Sequence, residues 1–342
     1  MSNLAQLAFL NTRISIYAGK LQPPGSLQPF IESADPVPSD YLEAIGLDLR
    51  EQEHALSASA LEQELMNALI EDAEYIMHAI PAVMRKLLFQ WMQRFEMMNL
   101  KSLIRCKLTN CSSERARDFL LDIKGFGRLP LEQLLHAEDI DEFMRTLALR
   151  DAVLAQKIRA HIGGAEQLFM LEAAMDYHFY AGLLDSCEQL PGRERESVRR
   201  LIGRIIDQVN LVWILRYRIA YELQPPHTYF MLVRTGLQLD RHQLAQLAAL
   251  SDFDAIRKRL PCEYGDCLRD AQSLQCVEFR IMRINLDYAR RLLRQEQFHF
   301  VRALAYLYLR ERQLQEVHQV IKGKLLGFSP QLIRQALEGE AA

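Results

Sequence analysis

The sequence predicts an all-α protein of three pseudo-repeated helical-hairpin units with approximate three-fold symmetry. Glycine and proline are scarce, at 15 and 12 of 342 residues, which leaves little room for a turn-rich β fold. Apolar side chains recur every three or four residues over long stretches, which is the pattern of a helix with one buried face. The same long pattern then returns along the chain, as it does in proteins built from repeated units.

The charge balance and hydropathy limit the choice of partner. The chain has 41 Lys and Arg against 44 Asp and Glu, so its net charge of −3 favours neither nucleic acid nor anionic lipid. No segment approaches the run of about 20 apolar residues that a bilayer helix needs. The N-terminus has neither the basic region nor the cleavage site of a signal peptide. We therefore expect a cytoplasmic protein with no nucleic-acid partner and no direct bilayer span.

Two long predicted helices, at residues 81–109 and 191–223, agree position by position. Each begins with a proline and carries an asparagine, Asn99 or Asn210, 18 or 19 residues later. A leucine follows each asparagine, with an arginine six residues after it and a second basic residue eight residues after it. The two arginines are Arg105 and Arg216. Agreement at this many positions indicates two copies of one unit.

A third, weaker copy fits residues 298–337. Here Glu316 takes the asparagine position, Lys322 the position six residues later, and Lys324 the position eight residues later. The three anchor positions are separated by 111 and 106 residues. One unit is therefore expected to span about 105–110 residues.

Short elements also recur after the first two long helices. A glycine, Gly127 or Gly236, follows each of them and opens a short amphipathic segment. An acidic residue, Asp139 or Asp252, then stands where the N-cap of a further short helix is expected. The repeated order of glycine and cap supports the alignment of the two copies.

These repeats define the expected domain boundaries. Each long helix is preceded by another predicted helix, and the two should pack as a hairpin because each has an apolar face to bury. The preceding helices lie at 61–80, 166–190 and 268–296. The N-terminal residues look like the second half of a unit, and we expect them to dock on the last copy. The boundaries are 1–56 for this half-unit, and 57–155, 156–261 and 262–342 for copies 1, 2 and 3.

The length of the helices predicts the shape. A helix of 30 residues is about 45 Å long, which is too long for a compact globule of one unit. Three such hairpins side by side predict a tapered bundle, a funnel with a central cavity.

The sequence offers no catalytic residue, no cofactor site and no metal site. It contains no nucleophile elbow, dinucleotide-binding glycine pattern or kinase signature, and its histidines form no metal-ligand pair. Gly323, Lys324 and Gly327 have the letters of a phosphate loop in the wrong order, and they follow a predicted helix where that loop needs a strand. We interpret this segment as a helix C-cap.

The candidate functional residues lie on and after the long helices. Asn99 and Asn210 are on the apolar side, where a buried amide needs a hydrogen-bond partner. They either fix the helix against a neighbouring carbonyl or belong to a binding site. The basic residues six positions after Asn99, Asn210 and Glu316 project about 120° away from them around the helix. There they either contact an acidic partner or lie in a solvated face. The partner-contact candidates are Arg105, Arg216 and Lys322, and the structural anchors are Asn99, Asn210, Glu316, Gly127 and Gly236.

Four stretches of the chain together resemble one known family. They are Asn11 to Leu21, Leu171 to Tyr180, the two asparagine helices with Arg105-x-Lys107 and Arg216-x-Arg218, and Tyr306 to Val317. In this order and spacing they resemble the family formed by the C subunits of the A/V-type rotary ATPases and their vacuolar d (AC39-like) counterparts. Glu316 replaces the asparagine that is usual in the last stretch.

The resemblance implies a mechanical function. Members of this family are non-catalytic central-rotor adaptors that join the central-stalk D and F subunits to the membrane ring of proteolipid c subunits. They transmit torque for ion transport, hydrogen ion transport included, coupled to ATP hydrolysis or synthesis. The resemblance therefore implies a cytoplasmic protein that is attached to the membrane peripherally through the ATPase complex.

Two other interpretations are open at this point. One is a helical-repeat scaffold of another multiprotein complex, although a period of about 108 residues exceeds the 34–47 residues of the usual helical repeats. The other is an enzyme of unfamiliar type, which would need an inward cluster of titratable residues.

Overall fold

The computed structural model describes residues 3–23, 25–47, 58–109, 111–160, 167–233, 236–271, 273–297 and 299–339. Within these ranges the chain forms helices and turns without a β-strand, which confirms the all-α class. The helices are α1 (Asn3–Ala18), α2 (Leu27–Glu32), α3 (Ser39–Ala44), α4 (Ala58–Ala79), α5 (Ala82–Leu108), α6 (Ser113–Arg117), α7 (Leu131–His136), α8 (Ile140–Ala148), α9 (Ala152–Arg159), α10 (Gln167–Glu188), α11 (Gly192–Leu215), α12 (Pro225–Met231), α13 (Arg241–Ala248), α14 (Phe253–Arg259), α15 (Cys262–Cys267), α16 (Leu274–Gln295), α17 (Val301–Leu325) and α18 (Pro330–Glu338).

The six long predicted helices are present. They are α4, α5, α10, α11, α16 and α17, with 22 to 27 residues each. The second anchor helix continues past α11 as a π-helical turn, Arg216–Ala220, closed by a bond from Tyr221 N to Arg216 O at 3.0 Å. The expected hairpin is confirmed for α16 and α17, which pack against each other.

The predicted helix ends are also found. The Asp139 carboxylate accepts a hydrogen bond from Glu142 N at 2.7 Å, and the Asp252 carboxylate accepts one from Ala255 N at 2.8 Å. Both acidic N-caps are therefore confirmed. Gly327 has φ +73° after α17, and Phe328 N donates to Gly323 O at 2.9 Å. This is the predicted C-cap, in which a left-handed residue ends the helix.

The chain divides into two compact units. One comprises Arg85–Gln189, with most of α5 and with α6 to α10. The other comprises Met1–Met84 together with Leu190–Ala342. In this second unit α17 is the central helix, because it packs on α1, α2, α4, α11, α16 and α18. Its side chains Leu304, Tyr306 and Leu307 are completely buried.

The N-terminal helices of this second unit lie against its C-terminal ones. Helix α1 packs on α17, and α2 packs on both α17 and α18. Arg302 Nη1 donates to Asn11 O at 2.9 Å, and Arg334 Nε donates to Gln28 Oε1 at 3.2 Å. The division into a half-unit and three copies stays a prediction.

None of the helices in the described ranges combines the length and the apolar composition that a bilayer span requires.

Candidate functional site

Asn99 and Asn210 make the same pair of hydrogen bonds in the two units. The Asn99 amide donates to Leu121 O at 2.7 Å and accepts from Leu121 N at 2.9 Å. The Asn210 amide donates to Val233 O and accepts from Val233 N, both at 2.8 Å. Both asparagines are almost completely buried. Each asparagine therefore ties its long helix to the segment that follows it, because its amide pairs with both the N–H and the C=O of one residue in that segment.

A buried carboxylate three residues before each asparagine holds the next part of the same segment. Glu96 Oε1 accepts from Arg128 N at 2.5 Å and from Leu129 N at 2.6 Å. Asp207 accepts from three successive backbone N–H groups, those of Leu237 (3.0 Å), Gln238 (2.7 Å) and Leu239 (3.2 Å). Burial raises the pKa of both carboxyls, that of Asp207 to about 6, although these hydrogen bonds oppose the rise.

The two anchor glycines lie beside these carboxylates. An ideal Cβ on Gly127 would be 3.7 Å from Glu96 Oε1, whereas one on Gly236 would be only 1.8 Å from Asp207 Oδ1. Gly236 is therefore required for the close approach of its backbone to the Asp207 carboxylate, whereas Gly127 is not required for the approach to Glu96.

In the third copy Gln313 lies three residues before Glu316, at the position of Glu96 and Asp207, and it also bonds to backbone groups. Gln313 Oε1 accepts from Gln22 N at 3.0 Å, and Gln313 Nε2 donates to Lys20 O at 2.9 Å. Gln313 bonds one backbone N–H and one backbone carbonyl, but these belong to two different residues, Gln22 and Lys20.

Glu316, which the alignment placed in the asparagine position, instead accepts from Arg312 Nε at 2.8 Å. A carboxylate has no donor to return to a backbone carbonyl, so Glu316 cannot make the paired backbone contact of Asn99 and Asn210. Its assignment as a structural anchor stays a prediction.

The basic residues eight positions after the aligned anchors also share one function. Each donates to backbone carbonyls at or just after the C-terminal end of a short helix, where carbonyls lack partners within the helix. Lys107 Nζ donates to Leu135 O (2.8 Å) in the last turn of α7 and to Ala137 O (2.5 Å) just after it. Arg218 Nε donates to Leu250 O (2.9 Å) after α13. Lys324 Nζ donates to Ser33 O (2.6 Å) and Asp35 O (3.0 Å) after α2.

The partner-contact candidates are partly engaged within the chain. Arg105 Nε lies 2.6 Å from Glu172 Oε1 of α10, and this bond raises the pKa of Arg105. Arg216 Nη2 lies 3.7 Å from Glu278 Oε2 of α16. Both guanidinium groups stay about half exposed, and Lys322 is exposed. Exposed ion pairs of this kind contribute about 0–1 kcal/mol to stability, so these side chains are available to a partner.

A sequence profile described as "ATP synthase (C/AC39) subunit" matches residues 10–336 of the chain. The chain belongs to the C/AC39 family of ATP synthase subunits. Among its relatives are the C subunits of three A-type ATP synthases. That of Methanocaldococcus jannaschii is 22% identical over 98% of this chain and 87% of its own length. Those of Methanosarcina mazei and Haloferax volcanii are 23% and 25% identical over 73% of this chain, and over 69% and 73% of their own lengths. The family resemblance of the sequence is thereby confirmed.

In this C/AC39 family member, the first and last of the four resembling stretches meet at Asp72. Asp72 is buried on α4, and its Oδ1 lies 2.6 Å from Lys20 Nζ. Its Oδ2 accepts from Tyr306 OH at 2.6 Å and from Arg310 Nε at 3.2 Å. In the sequence these are only polar residues within or next to apolar helices, and nothing in their spacing shows that they converge.

A second polar group that sequence reasoning missed lies in the Arg85–Gln189 unit of this family member. His178 Nε2 is 3.1 Å from Asp151 Oδ2, and both line a cavity of about 340 Å³ with Glu96, Arg128 and Arg150. The residues lining the cavity include no hydroxyl, thiol or lysine amine that this pair could activate. The arrangement that the described residues show is a hydrogen-bonded pair of His178 and Asp151.

Proposed function

We propose that this chain is a non-catalytic central-rotor adaptor of an A/V-type ATPase, which joins the central-stalk D and F subunits to the membrane proteolipid c-ring. Family membership supports the proposal, since the relatives are named as subunits of A-type ATP synthases. In this function the chain transmits torque for ion transport coupled to ATP hydrolysis or synthesis, and it is held at the membrane through the complex.

The observation that carries the proposal is the way polar bonds tie long helices together. In one unit Lys101 Nζ of α5 lies 2.5 Å from Asp176 Oδ1 of α10. In the other, Asn285 Nδ2 of α16 donates to Gln208 Oε1 of α11 at 2.8 Å. The buried bond between Arg310 of α17 and Asp72 of α4 is a third such link. Helices joined in this way resist sliding past each other, as a body that transmits force must.

We also propose that the chain consists of three related units with approximate three-fold symmetry, arranged as a funnel with a central cavity. The backbone contacts of Lys107, Arg218 and Lys324, at matching positions of the three copies, support the three-fold repetition. So do those of Glu96, Asp207 and Gln313, each of which accepts from a backbone N–H group. In the third copy both contacts run to the N-terminal segment, so residues 1–56 would complete the last unit.

The first test is binding to the stalk. The purified full-length chain should retain a D–F complex in a pull-down and should show no ATP turnover by itself, because the described residues of the chain offer positioning contacts and no nucleotide chemistry. The control is the same pull-down with an unrelated helical-repeat protein of similar charge. ATP turnover by the chain alone, or no retention of the D–F complex, would count against the adaptor function.

The second test is charge reversal at the candidate contacts. Arg105→Glu and Arg216→Glu should weaken assembly about tenfold, while the melting temperature falls by only roughly 1–3 °C because each loses one exposed ion pair. Arg200→Glu is the matched control, since Arg200 is similarly exposed and pairs with Glu196 on its own helix. A large drop in melting temperature with unchanged assembly would assign Arg105 and Arg216 to folding.

A further inference from the structure

A cavity of about 430 Å³ lies between α16, α17 and the segment that follows α1. Four arginines line it, two from each of the long helices, and they are Arg290, Arg294, Arg302 and Arg312. Cavities of this volume are within the range that holds small organic ligands. The lining is also partly apolar, with five leucines, Leu21, Leu27, Leu286, Leu293 and Leu309.

Two of the four arginines are neutralised within the chain. Arg290 Nη1 lies 2.7 Å from Asp287 Oδ1. Arg312 Nε lies 2.8 Å from Glu316 Oε1, and that carboxylate also lines the cavity. Each of these arginines therefore has its positive charge balanced by a neighbouring carboxylate.

The other two arginines have no carboxylate partner among the described residues. Arg302 donates to Leu293 O at 2.7 Å, to Asn11 O at 2.9 Å, to Asn11 Oδ1 and to Ser15 Oγ at 3.1 Å, and all of these acceptors are uncharged. Among the described residues these bonds leave one of the five N–H groups of Arg302, on Nη2, for a further acceptor. Burial lowers the pKa of Arg302. Arg294 is exposed and forms no ion pair within the described ranges. The cavity therefore carries about two positive charges that the chain itself does not balance.

We propose that this cavity binds a phosphate monoester with an apolar body. A phosphate monoester carries about −1.5 to −2 charges at neutral pH, which matches the two unbalanced arginines. The Arg294 guanidinium would bind two phosphate oxygens in a bidentate geometry, and Arg302 would add its charge and its one remaining N–H. The leucines would cover the apolar body. A soluble organic phosphate and the headgroup of a phosphatidic-acid type lipid share this chemistry. The proposal does not depend on the rotor function.

Calorimetric titration of the full chain with 1-naphthyl phosphate tests the site. We expect wild-type protein to bind at sub-millimolar concentration, and Arg294→Gln to bind at least about tenfold more weakly because a charged hydrogen bond is lost. Arg283→Gln is the matched control, since Arg283 is an exposed arginine of the same helix that lies outside the lining. It should bind within about twofold of wild type.

A second arm separates the two sources of phosphate. Sedimentation with phosphatidylcholine vesicles, with and without phosphatidic acid, is measured for the same three proteins. Binding of naphthyl phosphate alone identifies a soluble ligand, and vesicle binding that needs both phosphatidic acid and Arg294 identifies a lipid headgroup. Absence of binding in both arms, or equal losses in Arg283→Gln and Arg294→Gln, would overturn the proposal.

Discussion

Replacing Gly236 by alanine is expected to lower the free energy of unfolding by about 3–5 kcal/mol. The new Cβ would lie 1.8 Å from Asp207 Oδ1 and 3.1 Å from Leu239 O, so one group must move. The Asp207 carboxylate is completely buried and accepts three backbone hydrogen bonds. If it turns away, those N–H groups are left unpaired. If the loop moves, the neighbouring contact of Asn210 with Val233 is disturbed as well.

Gly127→Ala is the matched control for this substitution. Gly127 has φ −77°, and the nearest atoms to its Cβ, Ile123 Cγ1 and Lys124 O, lie at 3.6 Å, which is ordinary van der Waals contact. Its stability should stay within about 1 kcal/mol of wild type, with a slight gain from the reduced entropy of the unfolded chain. Urea denaturation followed by circular dichroism measures both variants. Equal effects at Gly127 and Gly236 would show that the clash with Asp207 does not control stability.

The different consequences at these two glycines could not be predicted from the sequence. The alignment placed Gly127 and Gly236 at equivalent positions, because the comparison registers residue type and spacing. The structure shows that the carboxylate beside Gly127 belongs to the longer side chain of Glu96, and that beside Gly236 to the shorter Asp207. The space next to the glycine therefore depends on where each carboxylate lies, which the spacing of residue types does not indicate.

The helices themselves were predictable, because the 3.6-residue periodicity of α4 or α16 is a local property of the sequence. The contacts between the last long helix and the N-terminal segment were not predictable. Gln313 bonds the backbone of Lys20, 293 residues earlier in the chain, and no local pattern indicates such a pairing. The alignment placed Glu316 in the asparagine position, and nothing in the sequence indicated that Gln313, three residues earlier, bonds the N-terminal segment. The cluster around Asp72 was missed for a related reason, since its members come from three segments that are far apart in the chain.

Replacing Asp72 by alanine is expected to lower the free energy of unfolding by about 3–5 kcal/mol. Arg310 and Tyr306 are completely buried, and both donate to Asp72 Oδ2. The Nη1 and Nη2 atoms of Arg310 have no hydrogen-bond partner among the described residues, so the carboxylate is the main compensation for this buried charge. Without the Asp72 carboxylate, the Arg310 guanidinium is left unpaired in an apolar core. Lys20 also loses its ion pair with Asp72.

Two further variants distinguish a charge effect from a loss of packing. Asp266→Ala removes an exposed carboxylate that pairs with Arg269, and its stability should change by less than about 1 kcal/mol. The double variant Asp72→Leu with Arg310→Met keeps the volume and removes both charges. It should recover at least half of the loss, because an apolar pair needs no compensation in the core. If the double variant is as unstable as Asp72→Ala, the cluster stabilises α4 against α17 through shape and the remaining hydrogen bonds, and its charge is secondary.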